Sequence, residues 1–100
     1  MADPTGRRVV YKYAAPIEDS FSLELPVGAE ILHLDAQRDV PCLWALVDPS
    51  DNAKKEARVF FYVGTGHKHP ARFWRGLKHV GTVQLESGSL VYHLFERVDT

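Results

Sequence analysis

Residues 21–25 read Phe-Ser-Leu-Glu-Leu, and this strict alternation of apolar and polar side chains decides the fold class. Successive side chains of a β-strand point to opposite faces of a sheet, so a period of two residues indicates a strand that is buried on one face. Pro26 and Gly28 follow and are typical of the end of a strand. The segment therefore predicts a half-buried strand whose three apolar side chains point inward.

Similar strand-like segments recur along the chain at short intervals. These segments are rich in Val, Ile and aromatic residues or alternate apolar with polar side chains. They cover residues 9–13, 31–37, 42–47, 58–63, 82–86 and 90–97. Arg38 and Asp39 separate two of these segments, which predicts a hairpin. Residues 87–89, Ser-Gly-Ser, have the length and glycine content of a hairpin turn and predict a second one. Residues 43–47 are apolar on both faces, so we expect this strand at the centre of a sheet, covered on each side.

These segments predict an all-β domain, either a small antiparallel sandwich or a partly open barrel of six to seven strands. At most one short helix is expected, over residues 70–75, because Pro70 suits a first helical position and Gly76 ends the segment. One hundred residues suffice for a single domain with one core. We expect residues 1–8 to be flexible and residues 64–80 to form a basic, histidine-rich loop.

Composition narrows the functional class. No apolar run approaches the roughly 20 residues that a membrane helix needs. The polar N-terminal segment lacks the apolar core of a secretory signal, which predicts a cytoplasmic protein. Cys42 is the single cysteine, so an internal disulfide and a thiolate metal cluster within one chain are excluded. We interpret Cys42 as a small buried hydrophobe.

The near-neutral net charge of −1 conceals an uneven distribution along the chain. Residues 17–56 hold nine carboxylates against three cations. Between Ala57 and Leu85 there is no Asp or Glu, and the same stretch carries these cations and imidazoles: Arg58, His67, Lys68, His69, Arg72, Arg75, Lys78 and His79. Such asymmetry indicates a surface that meets a negatively charged partner.

The candidate partner-binding residues lie in this basic loop: His67, Lys68, His69, Arg72, Trp74 and Arg75. Residues 72–75, Arg-Phe-Trp-Arg, interleave aromatic and guanidinium groups, a composition that is common at protein interfaces and also able to stack on bases. The structural alternative is that Phe73 and Trp74 fold back over an open edge of the core while the arginines reach into solvent.

Two ligand sites are weaker alternatives. His67 and His69 lie on one side of an extended segment, where His79 could join them around a metal ion, but neighbouring carboxylates are missing. Residues 64–66, Gly-Thr-Gly, could place backbone N–H groups near an anion beside Lys68, although two glycines after a strand more often make a turn. His33 and His93 fall inside predicted strands and are interpreted as structural, since neither has a nucleophile elbow beside it.

Residues 41–47, Pro-Cys-Leu-Trp-Ala-Leu-Val, are the most specific part of a pattern that extends from about residue 10 to residue 96 and includes residues 64–67 and 80–85. In this pattern the chain resembles a family of small uncharacterised proteins of phages and prophages. Residues 68–78 depart from the shorter loop of that family. The resemblance implies a viral context, in the cytoplasm of an infected or lysogenic bacterial host, and implies no activity.

These observations lead to a hypothesis of binding without catalysis. We expect a phage-type accessory protein that engages a host or phage macromolecule through its basic and aromatic loop, with inhibition of a bacterial defence system as one specific version. A protein partner is favoured over nucleic acid, and no cofactor is expected. The alternatives are a small-ligand or metal-binding domain that uses residues 64–69 with His79, and a self-associating virion or assembly component.

Overall fold

The computed structural model describes residues 6–50 and 53–98. Seven β-strands and two single 3-10 turns account for its regular structure. The strands are β1 (Val9–Ala14), β2 (Ser20–Pro26), β3 (Glu30–Gln37), β4 (Val40–Val47), β5 (Lys55–Gly64), β6 (Leu77–Leu85) and β7 (Leu90–Arg97). The prediction of an all-β fold with six to seven strands is confirmed. Within the described ranges, no helix has the length and apolarity needed to cross a membrane.

The strands form two antiparallel sheets that pack as a sandwich. The three-stranded sheet has the order β1-β4-β3, and the four-stranded sheet has the order β2-β5-β7-β6. In β2, Leu25 is buried and Phe21 and Leu23 are half-buried, whereas Ser22 and Glu24 are exposed. The alternation in the sequence therefore predicted both the strand and its inward face.

The core lies between the sheets and draws side chains from both. Leu43 of the three-stranded sheet and Phe60 and Leu94 of the four-stranded sheet have no exposed surface. A second cluster, around Leu25 and Val47, joins the first through half-buried residues that pack against both. Burying each large apolar side chain contributes about 1.5–3 kcal/mol before the entropy cost of ordering the chain.

The predicted hairpin of β3 and β4 is confirmed. Its two turn residues, Arg38 and Asp39, have φ of 50° and 67°, as a two-residue turn requires when it follows the right-handed twist of its strands. As predicted, β4 is the centre of its sheet. The expectation that both of its faces are covered is only half correct, because Trp44 and Leu46 on the outer face are half-buried.

The closing hairpin of β6 and β7 is also confirmed, but β6 begins at Leu77 and not at Thr82. Residues 64–80 are therefore not all loop, and the connection between strands covers residues 65–76. Lys78 and His79 look like loop residues because they are polar, and a β-bulge between His79 and Gly81 interrupts the alternation that would have revealed the strand.

Two further expectations concern irregular segments. The predicted helix is a single 3-10 turn, Ala71–Trp74, because its next residue, Arg75, is already in the extended conformation. Of the N-terminal segment expected to be flexible, residues 1–5 lie outside the described residues. The strand that the sequence pattern places at residues 58–63 begins earlier, at Lys55, so the connection after β4 is shorter than the pattern indicated. Residues 51–52 of this connection are not described. Cys42 is buried, as predicted.

Candidate partner-binding surface

The connection of residues 65–76, here called the tongue, folds back over the outer face of the four-stranded sheet. Phe73 packs edge-on against Phe61 of β5, with ring centroids 6.0 Å apart. Trp74 packs in the same manner against Phe95 of β7, at 5.3 Å. Phe61 and Phe95 are direct partners in the β5–β7 register, so the two contacts hold the tongue across neighbouring strands. Phe73 and Trp74 thus fold back as the structural alternative expected, but they cover the outer face of a sheet and not an open edge of the core.

The tongue is stabilised by contacts among its own rings. His69 stacks on Phe73 with ring centroids 4.1 Å apart and an angle of 20° between the rings. Trp74 meets Phe73 edge-on at 5.1 Å and His69 at 5.8 Å. His69 is consequently half-buried and serves mainly as a packing group, although the sequence pattern placed it among the binding residues.

The remaining candidate residues are accessible. Trp74 keeps 38% of its surface exposed despite its contacts with three rings. His67, Lys68, Arg72 and Arg75 are exposed. Within residues 6–50 and 53–98 none of the three cations Lys68, Arg72 and Arg75 forms an ion pair. The tongue thus combines a half-exposed indole with positive groups that no carboxylate of the described chain neutralises.

Two cations of the basic stretch, Arg58 and Lys78, lie outside the tongue. Arg58 lies in β5 and pairs with Glu96 of β7 through Nε at 2.5 Å and Nη2 at 3.0 Å, and its Nη1 donates to the carbonyl oxygen of Ala29. The hydrogen bonds to Glu96 raise the pKa of Arg58, while burial opposes them. Lys78 lies near this pair, in the lining of a cleft of about 450 Å³ between β3 and β6. Arg58 is therefore a structural cation and not part of the tongue.

The three histidines of the metal alternative are not brought together. His67 lies against the backbone of Gly64, His69 is stacked on Phe73, and His79 packs edge-on against Phe95. In the part of the chain that the structure describes, no three His, Cys, Asp or Glu side chains are grouped so that they could hold a metal ion.

A hydrogen-bonded row of side chains beside the tongue was not anticipated from the sequence. His93 of β7 lies between the hydroxyls of Thr65 and Thr82, with Nε2 at 2.7 Å from the first and Nδ1 at 2.8 Å from the second. Thr82 is directly opposite His93 in the β6–β7 register. The alternation of β7 places His93 on the outer face, but its partners depend on strand pairing, which the sequence alone does not provide.

No curated protein and no solved structure is significantly similar to the chain. The resemblance to phage and prophage proteins therefore stays a prediction. A domain family matches residues 7–100, which include all seven strands and the tongue. The chain belongs to this family, DUF7352, a domain of unknown function.

Proposed function

We propose that this protein acts by binding an acidic macromolecule through the tongue. The observation that carries the proposal is the exposure of Lys68, Arg72 and Arg75 around the half-exposed Trp74, with no ion pair to any of the three cations within the described residues. Trp and Arg supply a large share of binding energy at protein interfaces, where an aromatic anchor is surrounded by groups that exclude water. Guanidinium groups bind carboxylates and phosphates through paired hydrogen bonds.

Packing beneath the tongue favours binding because it orders the contact residues in advance. Phe73 and Trp74 are held against Phe61 and Phe95 on two hydrogen-bonded strands. Immobilising a flexible side chain on association costs about 0.5–1.5 kcal/mol, and part of that cost is met here during folding. The cations at the rim remain free to adjust to the partner.

A protein is favoured over nucleic acid as the partner. Three or four phosphate contacts would give only a modest, strongly salt-dependent affinity for nucleic acid, and the chain as a whole carries a net charge of −1. A carboxylate-rich protein surface with an apolar pocket for Trp74 fits both parts of the tongue. In the specific version suggested by the resemblance and the small size of the chain, this partner belongs to a bacterial host and its defence systems.

The proposal is tested by affinity capture from bacterial lysate with the wild-type protein and with Arg72→Glu/Arg75→Glu. We expect a partner that the wild-type protein retains and the double variant loses. Calorimetric titration of the purified partner should then show an affinity lower by about 30-fold or more, the range of one interfacial hot spot of about 2 kcal/mol. Trp74→Ala should weaken binding by a similar factor.

The matched control reverses two exposed cations away from the tongue, Arg8→Glu/Lys54→Glu. This variant changes the net charge by the same amount and should bind like the wild type. Equal loss in both double variants would mean that net charge, and not the tongue, determines binding. Equal retention in both would place the interface elsewhere, and either result contradicts the proposal.

Self-association is a second candidate, favoured by the exposed edge of the three-stranded sheet. The edge strand β1 pairs only with β4, and Val10 and Tyr11 keep 48% and 47% of their surface exposed. Neither a proline nor a bulge interrupts β1. An edge without such protection offers unpaired backbone groups to a strand of a second copy.

A further inference from the structure

Four side chains form a hydrogen-bonded row across the outer face of the four-stranded sheet, here called the threonine–histidine row. It runs from Thr65 Oγ1 to His93 Nε2 at 2.7 Å, from His93 Nδ1 to Thr82 Oγ1 at 2.8 Å, and from Thr82 Oγ1 to His79 Nε2 at 3.3 Å. The rings of His79 and His93 are 6.4 Å apart. Strands β6 and β7 and the first residue of the tongue supply the members of this row.

The donors and acceptors of the row are consistent with a base beside a hydroxyl. A neutral imidazole has one N–H donor and one nitrogen acceptor. When His93 carries its proton on Nδ1 and donates it to Thr82, its Nε2 lone pair faces the Thr65 hydroxyl. Thr82 can then donate its own proton to His79 Nε2, so every link has one donor and one acceptor. In this state Thr65 has a positioned base, and that base is oriented by a third group.

The backbone fixes the Thr65 hydroxyl in place. Thr65 lies between Gly64 and Gly66, and its N–H donates to the carbonyl oxygen of Val91 at 3.3 Å. Gly66 has φ of +86°, which favours glycine, and the ring of His67 lies so close to Gly64 that a Cβ there would be 2.8 Å from His67 Cε1. The positive φ of Gly66 therefore favours glycine in the turn that presents Thr65, whereas a Cβ at residue 64 would have to displace the exposed ring of His67.

A cleft of about 240 Å³ adjoins Thr65. Its lining includes Leu90, Val91 and Tyr92, which offer apolar surface, together with His67 and Ser89. Its volume suits a short acyl chain better than a large substrate. A group in this cleft would lie against Thr65, whose hydroxyl also contacts His93.

We infer that Thr65 is a nucleophilic acyl acceptor for activated esters or thioesters of short acyl groups. In the reaction, Thr65 Oγ1 attacks the acyl carbonyl carbon while His93 Nε2 takes the hydroxyl proton. The bond from the carbonyl carbon to the leaving oxygen or sulfur then breaks, and His93 returns its proton to the leaving group. The products are O-acylated Thr65 and a free alcohol or thiol. Thr82 is a positioning residue that acts through His93, and His79 supports Thr82.

The test uses the purified full chain and p-nitrophenyl acetate, with release of nitrophenol and peptide mass mapping as readouts. We expect acetylation at Thr65 in the wild type. Thr65→Val removes the hydroxyl and should abolish acetylation at this position. His93→Gln removes the base and should lower the rate of acetylation at Thr65 by roughly 100-fold or more, the range of general-base assistance. Thr65→Ser should retain the reaction because it keeps the hydroxyl.

Two further variants separate chemistry from structure. Thr82→Val should slow acetylation and shift the midpoint of its pH–rate profile, which a purely structural role would leave in place. Ser22→Ala removes an exposed hydroxyl of β2 that lies outside this cleft and should react like the wild type. Thermal unfolding of each variant confirms that the fold is kept, and Thr65→Val provides the test if His93→Gln fails to fold.

The inference is overturned if acetyl groups appear only on lysines, histidines or the N-terminus. It is also overturned if, in Thr65→Val, the peptide that contains residue 65 is acetylated at the wild-type rate, or if this variant releases nitrophenol at the wild-type rate. The site can be tested separately from the proposed binding role, because Arg72→Glu/Arg75→Glu changes no residue of the threonine–histidine row or of the cleft and should leave acetylation unchanged. Loss of partner binding and loss of acetylation can therefore be told apart.

Discussion

At the scale of single residues, Tyr62 links the two sheets through its phenol. The side chain is buried in the main core cluster, and its hydroxyl donates a hydrogen bond to the carbonyl oxygen of Ala15 at 2.7 Å. Burial raises the pKa of Tyr62 well above its usual value, and Cys42 adds a smaller effect in the same direction. The folded state therefore favours the neutral form of the phenol.

This raised pKa predicts a loss of stability at alkaline pH. The contribution of Tyr62 is complete below the unfolded-state pKa of about 10 and is lost as the pH rises from there towards the folded-state pKa. We expect the free energy of unfolding, measured by urea denaturation, to decline above about pH 10. In Tyr62→Phe it should be lower by about 1 kcal/mol at pH 7, from the lost hydrogen bond, and should decline less steeply. Tyr11→Phe, at an exposed position, should match the wild type. An unchanged alkaline slope in Tyr62→Phe would contradict the prediction.

The pair of Arg58 and Glu96 shows which part of a site a sequence can reveal. Glu96 follows Tyr92 and Leu94 at a spacing of two, so it lies on the inward face of β7 and is the only buried charged residue in the described core. A carboxylate on an apolar face indicates a buried partner. The alternation could have shown that Glu96 requires a buried partner. It could not show that this partner is Arg58, which is 38 residues away in sequence and is brought next to Glu96 only by strand pairing.

At the scale of secondary-structure elements, the four edge strands differ in their protection. Strands β3 and β6 carry bulges and pack against each other, where Gly81 lies so close to Leu34 that an added Cβ would be 3.1 Å from Leu34 Cβ. Strand β2 ends at Pro26. Strand β1 contains one charged residue, Lys12. The ammonium group of Lys12 donates a hydrogen bond to the side chain of Gln37 at 2.7 Å. The edge of β1 is therefore the favourable place for a second copy to pair.

We expect sedimentation of the wild-type protein at several concentrations to show reversible association that Val10→Lys abolishes. A charge at an edge strand must lose water when another strand pairs beside it, which disfavours the contact. Val27→Lys is the matched control, because Val27 is 57% exposed but lies in the turn between β2 and β3. A wild-type protein that stays monomeric at all concentrations would exclude association through β1.

Element boundaries were harder to predict than elements. The alternation of β2 and the turn residues around β3, β4 and β7 follow from local chemistry, and these strands are where the pattern indicates. The start of β6 was missed because Lys78 and His79 pair with Glu96 and Phe95 of β7, so partners distant in sequence make them strand residues. The threonine–histidine row was missed for the same reason, because its members come from different strands. The tongue could be identified because its basic and aromatic residues are close together in the sequence.

At the scale of the whole molecule, the four-stranded sheet is covered on both faces by different means. Its inner face contributes Phe60, Tyr62 and Leu94 to the core. On its outer face, Phe61 and Phe95 are covered by Phe73 and Trp74 of the tongue. The tongue contributes no residue to either core cluster. The sandwich and the tongue are consequently separable parts of one fold.

This separation predicts the result of replacing residues 66–75 with a short Gly-Asn turn. The variant should keep the β-sheet signature in circular dichroism and unfold cooperatively, since both core clusters remain. Its melting temperature should fall, because contacts of Phe61 and Phe95 with two aromatic rings are lost, each worth about 0.5–1.5 kcal/mol beyond the buried area. The newly exposed rings should bind a hydrophobic dye and promote aggregation.

The double variant Phe61→Thr/Phe95→Thr in the shortened chain should reverse the dye binding, because threonine suits an exposed strand face. If the shortened chain lost its cooperative transition altogether, the tongue would be part of the folding unit and the two parts would not be separable.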